Sequence, residues 1–251
     1  NNVSQKQEKI YFGLDISQKT IEIFALKGEK GVSFGKIPNN QESLTEFFAQ
    51  IPANPETITV ALETGTHSAW INRLLESCGY DVIVAHARDL AFIYKGDKKS
   101  DRIDAEKLAR MARADKKLLH PIKVIDKKRQ EDLLAIKARD LLVKQRTGIV
   151  NAIRGFLRSM GIDDSTYSHE VINDIYSELP KEIQENLRGL FSSLTAIDNN
   201  IKEYDKRIRK IAKDYPETKI LQQIKGVGPL IALSFVLIIG DPQRFSSREC
   251  S

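Results

Sequence analysis

The sequence predicts an α/β domain followed by a largely helical remainder, and three observations carry this expectation. Between Lys9 and Ala85, short runs rich in Val, Ile, Thr and Phe recur between turn signals, the alternating pattern of strands. Amphipathic segments separate the later runs, which is how a sheet covered by helices is built. From Gln130 to Ile239 apolar residues instead recur every three or four positions, the helical period.

Taken in order, Lys9–Ile16 (KIYFGLDI) reads as a buried strand with Asp15 near its end. Thr20–Leu26 is a second strand, Gly28–Gly31 a turn and Val32–Ile37 a third strand, forming an antiparallel meander. Ser43–Gln50 is a short amphipathic helix with Ser43 as N-cap. Thr57–Leu62 is the fourth strand, with Glu63 directly after it. His67–Cys78 is helical and closed by Gly79 at the C′ position. Asp81–Ala85 is the fifth strand, followed by a helix over Ala87–Tyr94 and the loop KGDKKS. A further helix opens at Asp101. Three strands, then helix, strand, helix and strand, is the order of the ribonuclease H-like fold. In that fold, a mixed sheet with helices on its faces, acids at the ends of the first and fourth strands and on a later helix converge at one sheet edge.

Composition limits the function classes. A chain of 251 residues can bury a substantial core. No apolar run reaches the roughly 20 residues of a membrane span; Leu230–Ile239 is half of one and is interrupted by Ser234. The N-terminus, NNVSQKQEK, is polar and unlike a signal peptide, and the missing initiator Met suggests trimming. Cys78 and Cys250 stand far apart, in no metal-ligand spacing, which suits a reduced, cytoplasmic protein. Net charge is +5, but Lys95–Arg158 alone carries 19 Lys and Arg against 9 Asp and Glu, a net of +10. A solvated helix face is the common meaning of a charge run. A block this long and this unbalanced points instead to a phosphate-backbone partner.

The stretch KKSDRIDAEKLAR, Lys98–Arg110, is the most informative. Asp101 and Asp104 stand three apart at a helix start, which puts both carboxylates on one face. Lys98, Lys99, Arg102, Lys107 and Arg110 surround them. Each acid alone has a plain structural reading: Asp15 as a strand-end turn residue, Glu63 as a cap partner, Asp101 as an N-cap. Together, in the slots of this topology, Asp15, Glu63, Asp101 and Asp104 form a carboxylate cluster that needs cations to offset its repulsion. Two Mg²⁺ ions, with Mn²⁺ as the alternative, would do so and would serve phosphodiester chemistry. Ser17, Thr64, Thr66 and Ser100 beside these acids read as local hydrogen-bonding residues. His67 reads as a capping or surface residue and Trp70 as core.

Beyond the cluster, Ala135, Leu142, Ile149 and Phe156 recur every seven residues, with Lys137, Lys144, Arg146, Arg154 and Arg158 between them. This is a basic helix with a side suited to nucleic acid, or a solvated coiled helix. Gly161–Ser168 reads as a loop. Leu187, Leu190, Leu194, Ile197, Ile201, Tyr204, Ile208 and Ile211 keep an unbroken three-four spacing, a four-heptad coiled-coil seam. An intramolecular helix pair would satisfy that seam; self-association into a homo-oligomer, dimer or tetramer, is favoured over it. Leu221–Ile239 reads as a helix-hairpin-helix around Gly226-Val227-Gly228, with backbone N–H groups and Lys225 available to a phosphate. An ordinary αα-corner would need the same glycines.

GLDIS, ALETGT and KSDRIDAEKLAR resemble the three acidic motifs of the DEDD transposases of the insertion sequence one-ten family, which includes the pilin-gene invertase and the bridge-RNA-guided recombinases. The resemblance spans nearly the whole chain. It implies a RuvC-like DEDD domain over 9–128, a basic helix and coiled coil over 129–215, and the start of a helix-hairpin-helix transposase domain over 216–251. It further implies that Asp15, Glu63, Asp101 and Asp104 are the catalytic, metal-binding tetrad, and that a serine attacks a DNA phosphodiester to give a 5′-phosphoserine. A noncoding guide RNA, multimeric assembly and action at the bacterial nucleoid are implied as well. The Gly240–Phe245 segment fits that family's GDP-x-RF motif, but Ser246, Ser247 and Ser251 do not match its serine motif. The chain therefore reads as truncated before the nucleophile. Two rivals use the same residues differently: a junction-resolving metal nuclease with water as nucleophile, and a non-catalytic nucleic-acid scaffold.

Overall fold

Alternation of β-branched and aromatic residues makes the five strands. In the computed structural model, which describes residues 8–86, 100–163 and 172–240, these are β1 (Ile10–Ile16), β2 (Thr20–Lys27), β3 (Lys30–Pro38), β4 (Ile58–Glu63) and β5 (Asp81–Ala85). They pair in the order β3-β2-β1-β4-β5. The β1–β2–β3 meander is antiparallel, and β1, β4 and β5 are parallel. The sheet is mixed and five-stranded, as expected. The β2–β3 turn is tighter than expected: Lys27 pairs with Lys30, which leaves Gly28 and Glu29 as the turn, with Gly28 at φ +54°.

The chain divides into two compact units, 1–124 and 125–251. In the first, period two sorts the sheet's side chains onto two faces. Phe12, Leu14, Ile21, Ile23, Ile58, Val60 and Leu62 point to one face, where they meet Leu44 and Phe48 of α1 (Gln41–Ala49) and Ile71 and Leu75 of α2 (Ser68–Ser77). Residues of opposite parity, Ala61, Ile83, Phe24 and Leu26, meet Ala105, Leu108, Ala109 and Ala112 of α3 (Asp101–Ala114). One cap differs from expectation. Helix α1 starts at Gln41 because Asn40 Oδ1 accepts the Ser43 N–H at 2.8 Å, so Asn40 rather than Ser43 is the N-cap. Helix α3 is capped by Ser100, whose Oγ accepts the Ile103 N–H at 3.3 Å, so Asp101 is not used as a cap. Gly79 closes α2 with φ +86°, the left-handed conformation that favours glycine.

The second unit is built on two long helices, α4 (Lys127–Ser159) and α5 (Lys181–Ala212). They run antiparallel: Val150, Ile153 and Leu157 pack with Ile183, Leu187, Phe191 and Leu194, and Ala135 and Ile136 pack with Ile208 and Ile211. The apolar seam of α5 is thus filled by α4 of the same chain, the intramolecular solution to the heptad pattern. The seven-residue register expected for α4 is offset, since Phe156 is about half exposed and Val150, Ile153 and Leu157 are buried. Two cross-helix ion pairs lock this register, Arg139 Nε to Asp205 and Arg146 Nε to Asp198, each at 2.5 Å.

Helices α6 (Glu217–Leu221) and α7 (Pro229–Ile239) complete the unit by burying Leu233, Val236 and Leu237 against α4 and α5. The expected helix-hairpin-helix is altered here. The helix before the turn ends at Leu221, turns follow, Gly226 has φ +90°, and Gly228 opens α7. Among the described residues no helix is long and apolar enough to cross a membrane. The expected Ala87–Tyr94 helix, most of the Gly161–Ser168 loop, all of Gly240–Phe245 except Gly240, and Cys250 lie outside the described residues.

Candidate active site

The site is made by a close crossing of α3 over β1. Gly13 lies inside β1 on the α3 face, and a Cβ built there would stand 1.9 Å from the Ala105 carbonyl oxygen. Only a glycine lets the helix backbone come this near. Ala105 and Ala109, both fully buried, supply the matching small surface on the helix. Asp15 lies two residues beyond Gly13, on the same sheet face. Asp104 and Asp101 lie within the turn before Ala105. The crossing therefore delivers the acids of α3 to the end of β1.

Glu63 ends β4, the parallel neighbour of β1, where Leu14 pairs with Leu62. Asp15 and Glu63 share a cleft of about 600 Å³, walled by Ser17, Thr64, Thr66 and His67. The other three acids all act on Asp15. Burial, then Asp101, Asp104 and Glu63, push the Asp15 carboxyl up from 3.8 to about 6, and Lys36 opposes the shift. The structure thus brings the four expected acids, from three separated segments, into one electrostatic neighbourhood.

Two charged residues that sequence reasoning missed belong to the same neighbourhood. The register pairs Asp15 with Glu22 and Glu22 with Lys36. Directly opposed residues share a face, so Asp15, Glu22 and Lys36 form a row across β1, β2 and β3 on the α3 side. Glu22 is buried and accepts a bond from Ser33 Oγ at 3.3 Å. Lys36 Nζ donates to Asp101 Oδ2 at 2.5 Å, with both side chains about half exposed. Lys107 stands 3.9 Å from Asp104. A Glu between isoleucines in TIEIFAL, and a Gly inside KIYFGLDI, were the available signals for Glu22 and Gly13. Nothing local signalled Lys36.

Four carboxylates are a hard-oxygen donor set of the kind that suits Mg²⁺ or Mn²⁺. With the side chains as they stand, no three His, Cys, Asp or Glu among the described residues are grouped closely enough to hold an ion. The neighbouring hydroxyls act locally, as expected: Ser17 Oγ donates to the Thr20 carbonyl at 2.8 Å, and Ser100 caps α3. His67 begins α2 without a side-chain cap bond; its Nδ1 accepts from Trp70 Nε1 at 3.3 Å, and its ring walls the cleft.

The expected nucleic-acid residues fare unevenly. Lys98 and Lys99 lie outside the described residues. Arg102 is exposed on α3, and Arg110 is exposed but bonded to Glu106 at 2.6 Å. On α4, Lys144 and Arg158 are exposed and Arg154 is half-buried. Arg146 is mostly buried in its pair with Asp198, a cross-helix contact that sequence spacing could not reveal. Lys225 and Gly226 are exposed in the turn before α7, and Gly228 is half-buried.

A family model described as a transposase, of the DEDD IS110 type, matches residues 12–162. The transposase for insertion sequence element IS1111A of Coxiella burnetii is 32% identical over 172 residues, covering 63% of this chain and 45% of that protein. A relative from Sinorhizobium fredii is 27% identical over 246 residues, covering 96% of this chain and 62% of its own length. The transposase for insertion sequence element IS1533 of Leptospira borgpetersenii is 24% identical over 249 residues, covering 94% of this chain and 71% of that protein. The chain spans about half the length of the first of these relatives and somewhat under two thirds of the second.

Proposed function

The chain belongs to the IS110 family of transposases, and from that premise we propose that it is the acidic half of an insertion-sequence recombinase, which cleaves and exchanges DNA strands. The β3-β2-β1-β4-β5 sheet is read as RNase H-like, of the RuvC type. Asp15, Glu63, Asp101 and Asp104 are its DEDD tetrad and would hold Mg²⁺, or Mn²⁺, in a two-ion site. Such ions, when bound, lower the barrier by activating an attacking oxygen and stabilising a leaving one. The residues themselves collect the negative charge that selects divalent ions and orient the site over the C-terminal ends of β1 and β4. The observation that carries this reading is the joint action of Asp101, Asp104 and Glu63 on Asp15.

This reading assigns the attacking serine to none of the described residues. Arg102, Arg110, Lys144, Arg154, Arg158 and the Lys225–Gly228 turn are read as contacts to DNA or to a noncoding guide RNA. A dimer or tetramer is the expected working form. The test is calorimetric. Asp104→Ala is expected to abolish Mg²⁺ binding while leaving the circular dichroism spectrum intact; unchanged affinity would sink the tetrad. Metal-dependent hydrolysis of branched DNA by this chain alone would move the reading to a junction nuclease.

A further inference from the structure

Lys36 is placed by register rather than by any local pattern. It stands opposite Glu22, which stands opposite Asp15, so its side chain leaves the edge strand β3 on the face that carries the acids. Its ammonium ends on Asp101, the first acid of α3, at 2.5 Å. It also opposes the rise in the Asp15 carboxyl. An ammonium cannot ligate a metal, because all its electron pairs are in N–H bonds. A divalent ion held by Asp101 therefore competes with Lys36 for the same carboxylate oxygen and repels its charge.

We propose that Lys36 is the resident counter-ion of this site, a positioning residue that holds Asp101 in the absence of a divalent ion and yields it when the ion binds. The proposal rests on the tetrad reading above and adds a residue to it. Lys36 then offsets the acids' repulsion in the ion-free site and weakens ion binding by occupying one ligand; a bound ion takes over the first role, so removing Lys36 leaves the gain in binding. The half-exposed pair is of the kind that is modest in energy and exchangeable, as a contact that must open requires. A lysine that merely braced β3 against α3 would have the reverse effect on removal, since loosening Asp101 would weaken the ion site.

The experiment is Mn²⁺ titration by calorimetry on the wild-type chain, Lys36→Met, Lys36→Arg and Asp104→Ala. Lys36→Met is expected to bind Mn²⁺ about fivefold more tightly, the loss of one exposed ion-pair competitor. Lys36→Arg, which keeps the charge and the bond, should match the wild type. Equal or weaker binding by Lys36→Met, with Asp104→Ala still abolishing binding, overturns the counter-ion role and leaves the tetrad standing. Binding that survives Asp104→Ala, or absent in every form, overturns both. Mass-spectrometric mapping of amine acetylation provides a second readout that does not depend on Met being tolerated: Mn²⁺ should raise the reactivity of Lys36 in the wild type, and an unchanged or lowered reactivity counts against the proposal.

Discussion

In the first unit, Asp15, Glu22, Glu63, Asp101 and Asp104 gather at one end of the sheet, and Lys36 is the cation set against Asp15. Along the helix pair of the second unit, Arg139 meets Asp205 and Arg146 meets Asp198, one cation to one acid at matched seven-residue steps. The helix pair uses charge to fix register, because its ion pairs are partly buried and each partner neutralises the other. The sheet end keeps charge unbalanced, and burial, then the neighbouring acids, raise the Asp15 carboxyl to about 6. Electrostatics optimised for folding would not leave that imbalance. It is what the proposed divalent-ion site would require.

The largest expected effect tests whether the imbalance is imposed by packing. Gly13→Val places side-chain carbons where the Ala105 carbonyl now lies, so α3 must lift from β1. A loss of about 3 kcal/mol in urea denaturation of the first unit is expected from overpacking at backbone, with loss of Mg²⁺ binding. Wild-type stability would show that the crossing does not set the acids' positions.

A smaller effect is expected at the helix pair. Arg146→Met leaves Asp198 mostly buried and without its main cation, at a cost of about 2 kcal/mol. Adding Asp198→Leu should recover most of that loss, since an apolar pair suits the same site. If the double variant is no more stable than the single one, the pair is not a balanced neutral unit and the contrast between the two units fails.

The smallest effect has the opposite sign. Asp15 holds its proton more tightly folded than unfolded, near 6 against 3.8. The cost of ionising it in the fold is therefore absent below about pH 4, grows between about pH 4 and 6, and is full above that range. Asp15→Asn removes the cost. It should stabilise the metal-free chain at pH 7.5 by about 1 kcal/mol, the shift discounted for partial exposure, with no gain at pH 4. Thermal melts at the two values measure it, and a destabilised variant at pH 7.5 would mean that Asp15 is satisfied where it stands.

Much of this was legible in the chain. The strands of β1 through β5, α2 with its Gly79 terminus and the α3 start at Asp101 follow from periodicity and capping chemistry, which act within a few residues. That the four acids stand at or near element ends was legible because the order of those elements along the chain follows from the same periodicity. The cap at Asn40 was misplaced by three residues, at Ser43, because several side chains of the right type stand together, and geometry chooses among them. Glu22 and Lys36 were missed because membership in the site depends on which residue of one strand faces which of the next. Arg146 was read as a nucleic-acid contact because a basic residue in a basic helix carries no mark of its partner 52 positions away.

By itself, the sequence determined the period-two and heptad patterns, the positions of the acids and the excess of basic charge, since all of these are local properties of neighbouring side chains. Only the tertiary structure decided that α4 packs along the seam of α5, that Gly13 lets α3 bring Asp101 and Asp104 to Asp15, and that Lys36 faces Asp101. Each of these depends on the register and approach of segments far apart in the chain, where packing against a shared core selects one alignment among many that the local patterns allow equally.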